Sequence, residues 1–138
     1  MPDIKIEEYK GFYDEEIMQH ILEIASVEFG LPVTKTDQPD LCNICDFYQK
    51  GKGNFFLAFC DGVLVGTIGL LDLDTRQMAL RKMFVNKNFR GRPYKIAQNL
   101  LEKALIWAQD QDTKHIFLGT TEVFLSAHRF YEKNKVHN

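Results

Sequence analysis

The chain lacks an apolar run long enough to cross a bilayer, and its first ten residues do not read as an apolar signal run. It opens MPDIKIEEYK, with a charge at nearly every second position. A spanning helix needs roughly 20 consecutive apolar residues and a secretory leader needs a continuous apolar segment, so no membrane partner is expected. Cysteine is scarce: 3 residues, an odd number that closes no disulfide framework and points to a reducing cytoplasm. Cys42 and Cys45 form one C-x-x-C, but no second ligand pair follows at zinc spacing. With Leu41 and Ile44 beside them they read as part of a helix face, and no metal is expected. An excess of positive charge is missing as well. The net charge of −2 gives no general attraction to nucleic acid, so any basic site must be local. GKG at 51–53 lacks the spacing of a P-loop. Internal repeats, low-complexity tracts and linkers are absent.

What is present is an ordinary globular composition, 45% apolar and 26% charged over 138 residues. That size suits one domain, 1–138, burying roughly two thirds of its unfolded surface. Ile4 and Ile6 alternate with charged residues as in a half-buried strand. Asp14-Glu15-Glu16 supplies an N-cap and an acidic first turn to a helix carrying Ile17, Ile21, Leu22 and Ala25, which Gly30 and Pro32 stop. A shorter helix is expected around Asp37 to Tyr48, with Leu41, Ile44, Cys45 and Tyr48 on one side. Phe55–Cys60 and Val63–Leu71 are apolar β-formers joined by Asp61-Gly62, the pair that a type I′ hairpin turn favours. Both strands are apolar at nearly every position, so both faces should be covered. A third strand runs from Gln77 to about Val85.

That third strand changes phase. Met78 and Leu80 share one alternation, Met83 and Val85 the other, as a β-bulge near Arg81-Lys82 would produce. The competing reading is a strand buried on both faces, with Phe84 keeping the first phase. Then comes a basic turn and a helix from about Pro93 to Gln109, whose Ala97, Leu100, Leu101, Ala104, Leu105 and Ala108 form one apolar stripe. Pro93 suits a first-turn position. A helix that opens straight after a strand aims its unpaired N–H groups and positive dipole end at the turn. Arg90, Arg92 and Lys95 surround that spot, as a phosphate cradle requires; the alternative is a solvated helix cap. Ile116–Leu118 reads as a further strand and about Val123–Asn134 as a last helix. The order β-α-α-β-β-β-α-β-α describes an α/β sandwich, a mixed sheet flanked by helices.

Two segments, FVNKNFRGRPYKIAQNLL and FLGTTEVFLSAHRFYEKN, together with this element order, make the chain resemble the GNAT superfamily of acyl-CoA-dependent N-acetyltransferases. The first segment is similar to the family's acyl-CoA signature, Gln/Arg-x-x-Gly-x-Gly/Ala, and aligns as Arg92-Pro93-Tyr94-Lys95-Ile96-Ala97 with Arg90-Gly91 ahead of it. The resemblance implies a GNAT-like fold and acetyl-CoA as co-substrate. Its pyrophosphate would rest on backbone N–H groups between Gly91 and Ala97, and its pantetheine arm would pair with Met83, Phe84 and Val85. It also implies direct attack by an amine acceptor in a ternary complex. A strand N–H would polarise the acetyl carbonyl, and Tyr131 would protonate the departing thiolate. Tyr131 also fits as a core residue beside Phe130 and Phe124, and His128, one turn earlier, as a relay or a structural histidine. Glu122 is either a general base or a cap of the next helix.

The chain departs from the family pattern at three places. Lys95 stands where the signature has its first glycine, and Phe124 where an asparagine is usual. Lys135-Val136 replaces the Gly-Phe that usually leads into two more strands, so those strands are expected to be missing. An open sheet edge at Ile116–Leu118 predicts a homodimer or an incomplete acceptor side. The leading expectation is acetyl transfer to an amine of a small molecule or peptide; the rival is a non-catalytic CoA-binding or interaction module. Cys60, inside an apolar strand, is not expected to carry an acyl intermediate. Nucleic-acid binding through the 6 basic residues between Arg81 and Lys95 has neither a reading helix nor an aromatic platform to support it.

Overall fold

In the computed structural model, which describes residues 2–118, five strands form one sheet in the order β1-β2-β3-β4-β5. β1 (Ile4–Glu8), β2 (Asn54–Cys60), β3 (Val63–Asp72) and β4 (Gln77–Val85) are successive antiparallel neighbours. β5 (His115–Leu118) runs parallel to β4. A parallel neighbour needs a crossover, and the helix α3 (Ile96–Asp110) supplies it. The sheet is therefore mixed, as the element order predicts. Among the described residues no helix is long and apolar enough to cross a membrane.

Alternation on β2 explains how the layers assemble. Phe56, Ala58 and Cys60 join Leu100, Leu101, Ala104 and Ala108 of α3 in one core. Phe55, Leu57 and Phe59 join Ile17 and Ile21 of α1 (Asp14–Leu22) and Ile44 and Tyr48 of α2 (Ile44–Tyr48) in a second. Every residue of β2 is buried, as an uninterrupted apolar strand between two covered faces must be. Asp61 and Gly62 turn the hairpin with φ of 50° and 82°, the left-handed pair of a type I′ turn.

The helical elements before β2 differ from expectation in three ways. Tyr13, in the left-handed region, caps α1, while the Asp14 carboxylate accepts a hydrogen bond from the Tyr9 hydroxyl. α1 runs on as a π turn over Glu23–Glu28, closed by the Phe29 N–H on the Ile24 carbonyl at 3.2 Å. The helix expected over 37–48 breaks into 3₁₀ turns at Lys35–Asp37 and Pro39–Cys42 before α2 begins. Pro39 keeps Gln38 out of helical geometry. Leu41, Ile44 and Tyr48 are buried as expected, but Cys42 and Cys45 are exposed and unpaired instead of lining that face.

The phase change in β4 is a bulge. Thr67 pairs with Phe84 and Gly69 with Arg81, so Ile68 faces both Lys82 and Met83. Lys82 holds a left-handed φ of 54°, and its carbonyl accepts from the buried Thr67 hydroxyl at 2.8 Å. The extra residue lets Met78, Leu80, Met83 and Val85 all reach the α3 core, while Phe84 packs on the other face.

Candidate functional site

Among the described residues β4 and β5 stay paired only from Gln77↔His115 to Leu80↔Leu118. Beyond that point 81–85 of β4 keep β3 as their only described partner strand. The Asn86 N–H donates to the Val65 carbonyl at 2.9 Å, toward β3. Antiparallel ladders alternate the side on which each residue bonds, so Val85 turns its N–H and carbonyl away from β3. That carbonyl accepts from Arg90 Nε at 2.8 Å. The bulged half of β4 thus presents backbone groups along the side where the neighbouring strand has left off.

The turn that follows is tight. The Lys95 N–H donates to the Gly91 carbonyl at 2.8 Å, and the Arg92–Pro93 peptide is cis. Tyr94 packs on Phe89, ring centroids 5.0 Å apart. Lys95 is left-handed, φ 53° and ψ 34°, and α3 starts after it at Ile96. The expected start at Pro93 is therefore corrected, because a left-handed residue cannot lie inside a right-handed helix. The helix ladder opens with the Asn99 N–H on the Lys95 carbonyl at 3.0 Å. No side chain caps this end and no acidic residue occupies its first turn. The N–H groups of Ile96, Ala97 and Gln98 precede the ladder, with Arg92 and Lys95 exposed beside them. The Ile96 side chain is wholly buried and Ala97 half-buried, so these two residues offer the turn their backbone.

Arg90 is placed differently from the other two cations. Nη1 and Nη2 donate to the two Glu28 carboxylate oxygens at 2.5 and 2.7 Å, and the guanidinium lies 5.7 Å from the Phe29 ring centroid. A bidentate pair of this kind fixes position and neutralises charge. Arg90 therefore clamps the turn to the π segment and is not a free phosphate ligand.

A polar network that the sequence reading missed backs the bulge on the α1–α2 face. The Lys82 ammonium donates to Gln38 Oε1 and lies 3.7 Å from an Asp40 carboxylate oxygen. Asp40, only 4% exposed, also accepts from the Tyr48 hydroxyl. Burial pushes the Lys82 ammonium below the usual lysine range, against the attraction of Asp40. Burial pushes the Tyr48 phenol up, and the bond to Asp40 pushes it further. On α1, His20 Nε2–H donates to the Phe84 carbonyl at 3.0 Å. Burial lowers its pKa from 6.5 despite that bond, leaving a neutral imidazole whose Nδ1 lone pair is uncommitted to Phe84. Burial raises the Cys60 thiol, which argues against a thiolate there. The only advance signals of this network were the left-over polar positions Gln38 and Asp40 and a histidine beside the Ile17–Ile21 stripe.

Glu122, Tyr131, His128 and the last helix lie outside the described residues. Those that the structure does bring together are Met83, Phe84, Val85, Arg90, Gly91, Arg92, Tyr94, Lys95, Ile96 and Ala97, all on the bulged strand, the turn and the helix start.

Comparison with known proteins agrees with this geometry. The family model described as Acetyltransferase (GNAT) family matches residues 18–135. A solved GNAT-family acetyltransferase of Staphylococcus aureus Mu50 is 42% identical, with a TM-score of 0.90, over 96% of this chain and 83% of that one. An acetyltransferase of Streptococcus agalactiae is 28% identical with the same TM-score of 0.90, over 96% and 82%. Among curated proteins, the N-acetylaspartate synthetase of Xenopus tropicalis is 35% identical over 67% of this chain, and the match covers 34% of that protein's length. A probable N-acetyltransferase, family 8 member 5, of mouse is 32% identical over 79% of this chain and 49% of its own length.

Proposed function

Because this chain belongs to the GNAT acetyltransferase family, we propose that it transfers an acetyl group from acetyl-CoA to the amine of a small molecule, by direct attack in a ternary complex. The observation that carries this reading is the β4–α3 junction: a bulged strand leading into an uncapped, acid-free helix start. The N–H groups of Ile96 and Ala97 fit the pyrophosphate, and Arg92 and Lys95 supply charge around it. Gly91 and Tyr94 shape the turn, and Arg90 braces it through Glu28. Met83, Phe84 and Val85 line the pantetheine arm. The outward N–H of Val85 fits one of its amides, and that of Met83 the acetyl oxygen, an oxyanion-hole role. The attacking nitrogen forms the new amide bond as the carbon–sulfur bond breaks. Tyr131 gives its phenolic proton to the departing sulfur, and Glu122 is the candidate acceptor of the proton that the amine loses. Among the curated relatives, the N-acetylaspartate synthetases carry a name of small amino-acid chemistry, which supports a small acceptor over a peptide.

The test has two arms. Titration calorimetry with acetyl-CoA and desulfo-CoA is expected to show binding of both, and thiol release is expected only when an amine is present. Binding without turnover on any amine reduces the protein to a CoA-binding module. A Tyr131→Phe variant with undiminished turnover removes the general acid.

A further inference from the structure

We propose that the acceptor is a small amino acid whose carboxylate is taken by Arg81, beside the β4 bulge; the proposal rests on the acetyl-transfer reading above. Arg81 is the last regularly paired residue before the bulge, opposite Gly69. Leu80 packs into the α3 core, so alternation puts Arg81 on the α1–α2 face, where its charge is felt by Tyr48 and Lys82. Strand side chains are ordinarily met by the side chain directly across, but Gly69 has none. A Cβ there would stand 3.0 Å from ring atoms of Phe55 and Tyr48, so a side chain facing Arg81 from β3 would have to push those buried rings aside.

Three other cations on or near β4 are paired among the described residues. Arg90 has Glu28, Lys82 has Gln38 and Asp40, and Arg76 has Asp112 at 2.6 Å. The half-buried Arg81 guanidinium has no carboxylate and no hydrogen-bond acceptor among the described residues. Among the described residues Arg81 and Lys82 thus share a single buried carboxylate, Asp40, which leaves the Arg81 charge without a carboxylate there. A guanidinium removed from most of its water presents a planar fork whose natural complement is a carboxylate. Two residues of strand, about 7 Å before the bulge shortens it, separate Arg81 from Met83, whose N–H is assigned to the acetyl oxygen. The reach of the Arg81 side chain added to that of the substrate suits an amine one or two carbons from its carboxylate; a long peptide is not needed to bridge the two.

The experiment compares kcat/KM for glycine, L-alanine and L-aspartate with that for their amides, at saturating acetyl-CoA, in the wild-type chain, Arg81→Gln and Arg81→Lys. Loss of one charge-assisted pair corresponds to about 10- to 100-fold. The wild type is expected to prefer the free acids by that factor. Arg81→Gln is expected to collapse the acid-to-amide ratio toward one, mainly through acceptor KM, and Arg81→Lys to restore part of it. Equal wild-type turnover of acids and amides overturns the proposal while leaving acetyl transfer standing, as does an Arg81→Gln or Arg81→Lys variant that keeps the full wild-type acid-to-amide ratio with unchanged acceptor KM. Absence of turnover on every amine, with acetyl-CoA bound, overturns the acetyl-transfer reading and this proposal with it. If Arg81→Gln does not fold, the wild-type ratio and Arg81→Lys still decide.

Discussion

The β2–β3 hairpin and the segment from Arg81 to Ala97 are neighbours in one sheet and obey opposite rules. From Asn54 to Leu70 almost every side chain is buried, and the only left-handed residues are the two of the hairpin turn. From Arg81 to Ala97, Lys82, Gly91 and Lys95 are left-handed, and a buried ammonium sits against a buried carboxylate. The hairpin is what apolar burial alone produces. The second segment holds conformations and charges that its own sequence disfavours, and such departures concentrate where a chain binds or reacts. The difference separates the part of the molecule that supplies stability from the part that spends some of it.

That division can be broken by mutation. The largest effect belongs to the hairpin: Phe56→Ala removes a ring that is 1% exposed and is expected to cost about 3–5 kcal/mol in denaturant unfolding. A loss below about 1 kcal/mol would mean that the sheet does not rest on this strand. Next is Lys82→Met, which strands the Asp40 carboxylate in a buried site. Breaking such a pair costs about 3 kcal/mol, and removing both charges restores much of it. Lys82→Met combined with Asp40→Asn, which keeps an acceptor for the Tyr48 hydroxyl, should therefore be more stable than Lys82→Met alone. If the double variant is worse, the network is held by hydrogen bonds and not by charge.

A smaller effect is read through pH. Burial lowers the His20 pKa from 6.5, so on acidification the unfolded chain takes up a proton before the folded one. Unfolding free energy should then fall as pH drops from about 7 through the His20 window below 6.5, and rise again on returning to neutrality. His20→Gln keeps an N–H for the Phe84 carbonyl and removes the titration, so its stability profile should be flatter across that window. Identical profiles would exclude His20 as the group responsible.

How much of this could be read from the chain follows the same boundary. Asp61-Gly62 between apolar runs specifies a hairpin because the turn geometry and the burial pattern agree locally. The bulge was legible because Met78, Leu80, Met83 and Val85 must share one core, and only an extra residue lets them. The start of α3 was not legible: Pro93 is an acceptable first residue by propensity, and only tertiary closure of Lys95 onto Gly91 moves the start to Ile96. Nor was the pairing of Arg90 with Glu28, 62 positions apart, since nothing local marks either residue as the other's partner. The Gln38–Asp40–Lys82 network was hidden for the same reason, by distance along the chain.

The smallest effect tests the boundary most directly. Lys95 occupies a left-handed conformation, which disfavours a side chain by roughly 1–2 kcal/mol. Glycine removes that strain but gives the unfolded chain more freedom, worth about 0.4–1 kcal/mol in the other direction. Lys95→Gly is therefore expected to stabilise the fold by up to about 1.5 kcal/mol, the only single substitution here that helps. It also deletes an exposed ammonium beside the helix start. If that charge steers and holds phosphate, CoA affinity in the variant should fall at low salt and depend less steeply on ionic strength, since exposed charges are screened within a Debye length of about 8–10 Å. A gain in stability with an unchanged salt dependence would leave phosphate binding to the backbone N–H groups of Ile96 and Ala97 and the neighbouring Arg92. The lysine would then be strain retained without a part in binding.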